Sequence, residues 1–287
     1  MKKVGIFYFS GTGNTELAAE MIYEEFSNVG YAVKLIKVED VLKESLTVKP
    51  EDYDLIGIGC QVIGFGIPNI MYTFVRKLPK AKDSKVFIFR TAGGVAPINY
   101  NASNALIKKL TRKGYDVFHQ RIFSIGSNWI SKFDDSIMLR LYEATRKKAA
   151  IMCREVAAGQ ERVLGTGPGL RMGMGIAAPV FSFLIRLIGK DLKAGKACSH
   201  CGLCVERCPS GNIYEKAGRI KFKLSCNCCL RCVYSCPGKA INFKILSFIP
   251  VAGGYNIRDI LSRSCYQNAA VNKVPPFFNE YVENDTL

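Results

Sequence analysis

Nine of the chain's twelve cysteines fall between Cys198 and Cys236, and their spacing is regular. Cys198-x2-Cys201-x2-Cys204-x3-Cys208-Pro209 is followed by Cys226-x2-Cys229-x2-Cys232-x3-Cys236-Pro237. Close spacing of this kind lets the thiolates of one loop wrap several corners of an inorganic cube. Zinc is the competing occupant, but it takes four ligands closed locally or two separated Cys-x2-Cys knuckles. That preference gives no reason for the third and fourth cysteines to recur in both halves. The prolines turn the chain away after each motif, and Ile213, Ile220, Ile241 and Phe243 are the expected small core. Cys228, inside the second motif, is expected to face away as a non-ligand. Cys60, Cys153 and Cys265 have no partner at ligand spacing and read as ordinary residues, although Cys60 ends a strand and could face a cofactor. His200, between ligands, reads as solvent-facing or as tuning a cluster rather than binding iron.

The duplicated pattern resembles that of the two-cluster bacterial ferredoxins. That resemblance implies two 4Fe–4S clusters with crossed ligation, in which the fourth cysteine of each motif serves the other cluster. Cys198, Cys201, Cys204 and Cys236 would hold one, and Cys226, Cys229, Cys232 and Cys208 the other.

A second chemistry-bearing stretch lies near the start: Phe9-Ser10-Gly11-Thr12-Gly13-Asn14-Thr15. Glycines allow a sharp turn, and hydroxyls join backbone N–H groups at a helix N-terminus, a combination that suits a phosphate dianion. No Gly-Lys-Ser/Thr follows, so this is not a nucleoside-triphosphate loop, and the glycine spacing is not that of a dinucleotide fingerprint.

Strands and helices must position these loops. Strands are predicted at Lys3–Phe9, Tyr31–Val38, Asp54–Gly59, Lys85–Phe89 and Tyr115–Ile125, and helices at Thr15–Asn28, Asn69–Lys77, Ala102–Lys113 (closed by Gly114) and Ser136–Ala158 (ended by Gly159). Strands separated by helices imply a five-stranded parallel α/β sheet covered on both faces. The expected division is residues 1–160 for this unit, 161–195 for a linker, 196–245 for a small α+β cysteine domain and 246–287 for a tail of little periodicity. That tail would wrap over a domain or be partly disordered. Within the linker, Gly165-Thr-Gly-Pro-Gly and Met172-Gly-Met-Gly precede an apolar segment, Ile176–Ile188, broken by Pro179. The segment reads as a packing helix between domains in preference to a membrane-touching anchor.

Placed between the first strand and first helix of such a unit, the loop resembles the flavodoxin form Ser/Thr-x-Thr-Gly-x-Thr, matched by Ser10, Thr12, Gly13, Asn14 and Thr15. The resemblance covers residues 1–160 and implies a doubly wound sheet in the order 2-1-3-4-5, with FMN at the strands' C-terminal edge. Ser10, Gly11, Thr12, Gly13, Asn14 and Thr15 would hold its phosphate. Loops 61–68, with Gln61 and Phe65, and 91–97, with Thr91, Ala92 and Gly93, would border its ring. The chain departs from flavodoxins in the scarcity of aromatics there and in its basic charge; Trp129, after the fifth strand, could cover the ring instead. The two halves together resemble the flavodoxin–ferredoxin fusion proteins of anaerobes.

The formal net charge is +16, with the basic residues spread along the chain. It is read as solubility plus steering of acidic redox partner proteins, in preference to a membrane-surface role. No helix-turn-helix or interleaved aromatic–basic run points to nucleic acid. No cleavable leader and no apolar run of spanning length is read, which gives a cytoplasmic expectation. The expected function is an electron-transfer protein relaying electrons between FMN and the two clusters. The alternatives are a flavin-dependent reductase of a small organic substrate, fed by its own ferredoxin domain, and a non-catalytic docking or redox-sensing protein.

Overall fold

The computed structural model describes residues 1–44, 46–262 and 276–284; Cys265 lies outside them. The first unit alternates β1 (Lys3–Tyr8), α1 (Asn14–Asn28), β2 (Ala32–Lys37), α2 (Val38–Leu42), β3 (Leu55–Gln61), α3 (Asn69–Lys77), β4 (Ser84–Ala92), α4 (Asn104–Thr111), β5 (Tyr115–Ser124) and α5 (Asp135–Ala157). The five strands pair in parallel in the order β2-β1-β3-β4-β5, the doubly wound order. Period-two alternation sends side chains to opposite faces. Val4, Ile6, Phe87 and Phe89 join α1 and α5 in one core, whereas Phe7, Val86, Ile88 and Cys60 join α3 and α4 in the other. Both faces are therefore buried, as a parallel sheet requires.

Gly57 and Gly59 of β3 sit opposite Phe87 and Phe89 of β4. A Cβ at either glycine would overlap the facing phenylalanine ring. The Gly-Ile-Gly pattern thus makes room for two large rings on one face while Ile56 and Ile58 fill the other.

The structure corrects three expectations. The helix expected from Ala102 starts instead as a 3₁₀ segment, Pro97–Ser103, and becomes α-helical only at Asn104. The Gly/Pro linker is not a linker from Pro168 onward: α6 (Pro168–Lys190) runs unbroken through Met172-Gly-Met-Gly and through Pro179. Pro168 fits the first turn, where its fixed φ costs nothing; Pro179 forfeits one backbone donor without ending the helix. Third, α6 packs only in part. Ile185 is buried and Gly189 abuts Cys226, while Met172, Val180, Phe183 and Leu187 stay exposed.

Beyond α6 come β6 (Leu192–Ala194), α7 (Leu203–Glu206), β7 (Ile213–Lys216), β8 (Arg219–Phe222), α8 (Arg231–Tyr234) and β9 (Ile241–Phe243). Strands β6 and β9 pair antiparallel, as do β7 and β8. Ile213, Ile220, Ile241 and Phe243 are buried together, with the cysteines of both motifs packed around them. The segment after β9 returns to the first unit. Val251, Tyr255, Ile257 and Ile260 enter its α1–α5 core, the last two from α9 (Ile257–Ser262). Phe278 and Tyr281 of α10 (Pro276–Glu283) pack on α5. Among the described residues no helix is long and apolar enough to cross a membrane.

Gly59→Ala is expected to lower the unfolding free energy by about 1–3 kcal/mol, since the new methyl meets the Phe89 ring inside a filled core. Urea denaturation followed by circular dichroism measures it; an unchanged midpoint would show that the Phe89 ring has room to move.

Candidate functional site

The Ser10–Thr15 turn joins β1 to α1. Gly13 caps the helix with φ 102°, a left-handed conformation open to glycine at little cost. Its N–H donates to Ser10 Oγ (3.1 Å), and the first donor drawn into the helix ladder is Leu17 N–H, to the Gly13 carbonyl (2.9 Å). The N–H groups of the preceding turn therefore lie outside the ladder, at the positive end of a 15-residue helix. Side chains lock the turn from behind. Thr15 Oγ1 is hydrogen-bonded to Thr91 Oγ1 (2.7 Å), and Asn14 Nδ2 donates to the Gly126 carbonyl (3.1 Å). Tyr255 Oη donates to Asn14 Oδ1 (2.7 Å), and Asn128 Nδ2 to Thr12 Oγ1 (2.6 Å).

This turn forms one wall of a cleft of about 210 Å³ at the C-terminal edge of the sheet. Of the twelve residues expected to hold FMN, Ser10, Gly11, Thr12, Asn14, Thr15, Gln61, Thr91, Ala92, Gly93 and Trp129 line it. Gly13 lies just outside, as the helix cap. Phe65 is not brought to the cleft: its ring packs edge-on against Phe181 of α6, 5.2 Å between centroids, because α6 offers an apolar partner on that side. Gln61 supplies a buried carboxamide oxygen with no hydrogen-bond partner. An acceptor left unsatisfied in a cleft is a place for a ligand's N–H or O–H donor. The 91–97 loop is held from below. Arg90, fully buried, donates to the carbonyls of Asn99 (3.0 Å) and Tyr100 (2.9 Å), and Asn99 Nδ2 to that of Gly94 (3.0 Å). Burial pulls the Arg90 guanidinium down to about 10, so it stays charged near neutrality. Cys60 does not face the cleft but packs in the α3–α4 core, where burial pushes its thiol up to about 12.

Sequence reasoning missed two walls. Gly126, Ser127 and Asn128 close one side; a loop after the fifth strand carries no motif, and the only signal was its neighbour Trp129. Cys228 and Cys229 close the other. Cys228, expected to face away, is buried, and its N–H donates to Cys226 Sγ (3.2 Å). The second cysteine motif is seated on the first unit by several bonds. Asn227 Oδ1 accepts the Ile70 N–H in the first turn of α3 (3.1 Å), and Tyr234 Oη donates to the Asn128 carbonyl (2.6 Å). Arg231 Nη2 donates both to the Ser10 carbonyl and to Glu39 Oε1, each at 2.6 Å. The Glu39 side chain is only 9% exposed, so this pair belongs with desolvated ion pairs, not with surface bridges. Gly11 lies close against this motif: a Cβ there would overlap the Cys229 carbonyl.

The eight motif cysteines fall around two further cavities. Cys208, Cys226, Cys229 and Cys232 line one, together with Cys228; Cys198, Cys201, Cys204 and Cys236 line the other. Cys232 borders both. The duplication is written in the backbone at an offset of 28 residues (Cys198 against Cys226). His200 and Cys228, Gly202 and Leu230, and Gly211 and Lys239 all have positive φ. Asn212 N–H donates to Cys208 Sγ (3.2 Å) and Ala240 N–H to Cys236 Sγ (3.3 Å). Among the described residues no three His, Cys, Asp or Glu side chains converge on a single ion. His200 is exposed, with Nδ1 3.3 Å from Glu215 Oε1.

The family model described as Flavodoxin matches residues 6–127, a stretch holding the Ser10–Thr15 turn and nearly all of the five-stranded sheet. Among solved structures, the two-electron reduced Megasphaera elsdenii flavodoxin is 28% identical, over 42% of this chain and 84% of that one, with a TM-score of 0.35. Oxidised Flavodoxin 2 from Bacillus cereus is 20% identical over 55% and 99%, with a TM-score of 0.42. An azoreductase from Bacillus anthracis is 12% identical over 54% and 100%, with a TM-score of 0.38.

Glu39→Ala strips Arg231 of its carboxylate at the seam between the two units and is expected to lower the unfolding free energy by about 1–3 kcal/mol. Glu44→Ala, which removes the exposed partner of Lys77, is expected to leave the urea midpoint unchanged. Equal effects of the two substitutions would show that the seam draws nothing from Glu39.

Proposed function

We propose that the chain is an electron-transfer protein in which FMN in the cleft exchanges electrons with two 4Fe–4S clusters in the cysteine cavities. The observation that carries this reading is a shared wall: Cys228 and Cys229 border both the cleft and the cavity of Cys208, Cys226, Cys229 and Cys232. A relay needs its groups side by side, and Cys232 continues the series to the cavity of Cys198, Cys201, Cys204 and Cys236.

The residues present fit the groups assigned to them. The α1 N-terminus and the Ser10 and Thr12 hydroxyls suit a phosphate dianion, and the unpartnered Gln61 carboxamide oxygen suits a donor on a flavin ring. The match of residues 6–127 to the flavodoxin family supports the same ligand. Two cavities with four predicted ligands each suit cubes whose sulfur ligands stand around a cluster instead of converging on one ion. When bound, FMN and the clusters supply reversible electron storage, flavin holding one or two electrons and each cluster one.

The chain's own contribution is placement and tuning. Arg90 and Thr91 hold the 91–97 loop, and Asn14, Tyr255 and Asn128 fix the phosphate turn. Backbone N–H donors at Cys226, Cys208 and Cys236 stabilise negative charge on sulfur, which raises the ease of cluster reduction. Arg231 seats the second motif on the phosphate turn and keeps cleft and cavity in register.

Anaerobically purified protein is expected to contain FMN and about eight irons per chain. Cys229→Ala is expected to abolish the paramagnetic signal of one cluster and Cys201→Ala that of the other, each removing about half of the iron. Zinc in place of iron, or flavin that never exchanges electrons with the clusters during reductive titration, would sink the relay. Saturable turnover of a small organic oxidant without a partner protein would instead make the chain a flavin-dependent reductase.

A further inference from the structure

We infer that the groove beside the first cysteine motif is the docking site of an acidic one-electron carrier protein, and that electrons enter or leave the molecule there. The inference rests on the relay reading and extends it to the molecule's outer end.

The cavities form a series. The cleft meets the cavity of Cys208, Cys226, Cys229 and Cys232 at Cys228 and Cys229, and that cavity meets the one of Cys198, Cys201, Cys204 and Cys236 at Cys232. The last cavity in turn shares Cys198, His200 and Ile220 with a surface groove of about 610 Å³. Of the five motif cysteines that line that last cavity, Cys201 is exposed. The first-motif cavity is therefore the outer one, and the groove lies against it at the end of the series farthest from the phosphate turn.

The groove is lined by Lys190, Lys193, Lys196, Arg219, Lys221 and Lys244, and by no carboxylate. All six cations are exposed, and none takes part in an ion pair among the described residues. Some cations elsewhere are paired, Lys37 with Glu16, Lys85 with Asp116 and Arg258 with Glu20; this face is set apart by six cations gathered around one groove whose lining holds no carboxylate. Gathering six like charges on one face is repulsive; Glu215, 3.3 Å from His200, and the Phe222 carbonyl, which accepts from Lys190 Nζ, offset little of it, and an acidic surface from outside would complement it. The six residues are distributed over the end of α6, β6, β8 and the segments that follow β6 and β9. Such a spread suits the scattered carboxylates of a protein face better than a single small anion. Charges on flexible stems at an exposed surface chiefly speed and orient encounter, which is what a transient electron-transfer contact requires. The step itself is the passage of one electron between the outer cluster and the carrier's own redox group, one reduced as the other is oxidised, with no bond made or broken.

The test uses the full chain, purified anaerobically, with an acidic [2Fe–2S] ferredoxin as probe and stopped-flow association read at low and high salt. The triple variant Lys193→Glu, Lys196→Glu, Lys221→Glu is expected to slow association about tenfold or more and to flatten its salt dependence. Lys108→Glu, Lys109→Glu, Lys147→Glu changes net charge by the same amount on exposed faces of α4 and α5, and is expected to slow it far less. Equal slowing by the two triples, or stoichiometric capture of inorganic tripolyphosphate without binding of the ferredoxin, would overturn the docking site. Iron and sulfide analysis of each variant separates the two readings. Full clusters without groove-dependent association would overturn the docking site alone, and groove-dependent association in a chain without iron would overturn the relay alone.

Discussion

The architecture depends on one close contact: the backbone of Cys229 lying against Gly11 of the phosphate turn. It brings two segments more than 200 residues apart in sequence, the phosphate turn and the second cysteine motif, to a distance at which they share a cavity wall. Apolar packing alone would not set that register, because it is non-directional. Directional bonds set it instead. Arg231 reaches the Ser10 carbonyl and Glu39, Asn227 caps the start of α3, and Tyr234 donates to Asn128 while its oxygen also accepts the Val251 N–H. A charge-assisted bond at a desolvated seam contributes about 1.5–3 kcal/mol, well above the value of an exposed ion pair. A few such bonds are enough to choose one docking orientation among many of similar buried area.

The same contact explains why some features were legible in the sequence and others were not. The Ser10–Thr15 turn and the five strands are local patterns, and each is where a local pattern should place it. Asn69–Lys77 coincides with its predicted bounds because Pro68 and the amphipathic run Ile70, Met71, Phe74, Val75 announce the helix. Phe65 was misplaced because its environment comes from α6, more than a hundred residues away. Gly126–Asn128 and Cys228 were missed for the same reason, since a wall assembled from distant loops leaves no periodicity to read. The cross-strand pairing of Gly57 and Gly59 with Phe87 and Phe89 is visible only once the register is known. The tail showed little periodicity because its helices are short, α9 of six residues and α10 of eight, and single side chains make its contacts: Tyr255 reaches Asn14, and Tyr281 Oη of α10 accepts the buried Ser124 N–H. α6 misled in the opposite direction, since Gly and Pro usually punctuate chain structure and here lie inside one helix.

Charge, read as a total, gave only a general tendency toward acidic partners. Its distribution says more. Six cations around a single groove, with no carboxylate in its lining, concentrate part of a net charge of +16 on one face. The duplicated cysteine motif is asymmetric in its surroundings too. Its two halves share a backbone pattern, left-handed at equivalent residues, yet one is covered by the flavodoxin-like unit and the other lies toward solvent. Near-identical loops are thereby given different neighbours and, with them, different electrostatic environments.

The missing side chain at Gly11 also bears on exchange of the two halves. A turn that faced open space would have room for a Cβ at that position, but here a methyl group would meet the Cys229 carbonyl. The two halves consequently cannot be exchanged as independent cassettes: a graft of this cysteine module onto another host would need a bare backbone at that spot. Position 11 and the 226–232 loop therefore form one steric unit, in which a change at either must be answered at the other.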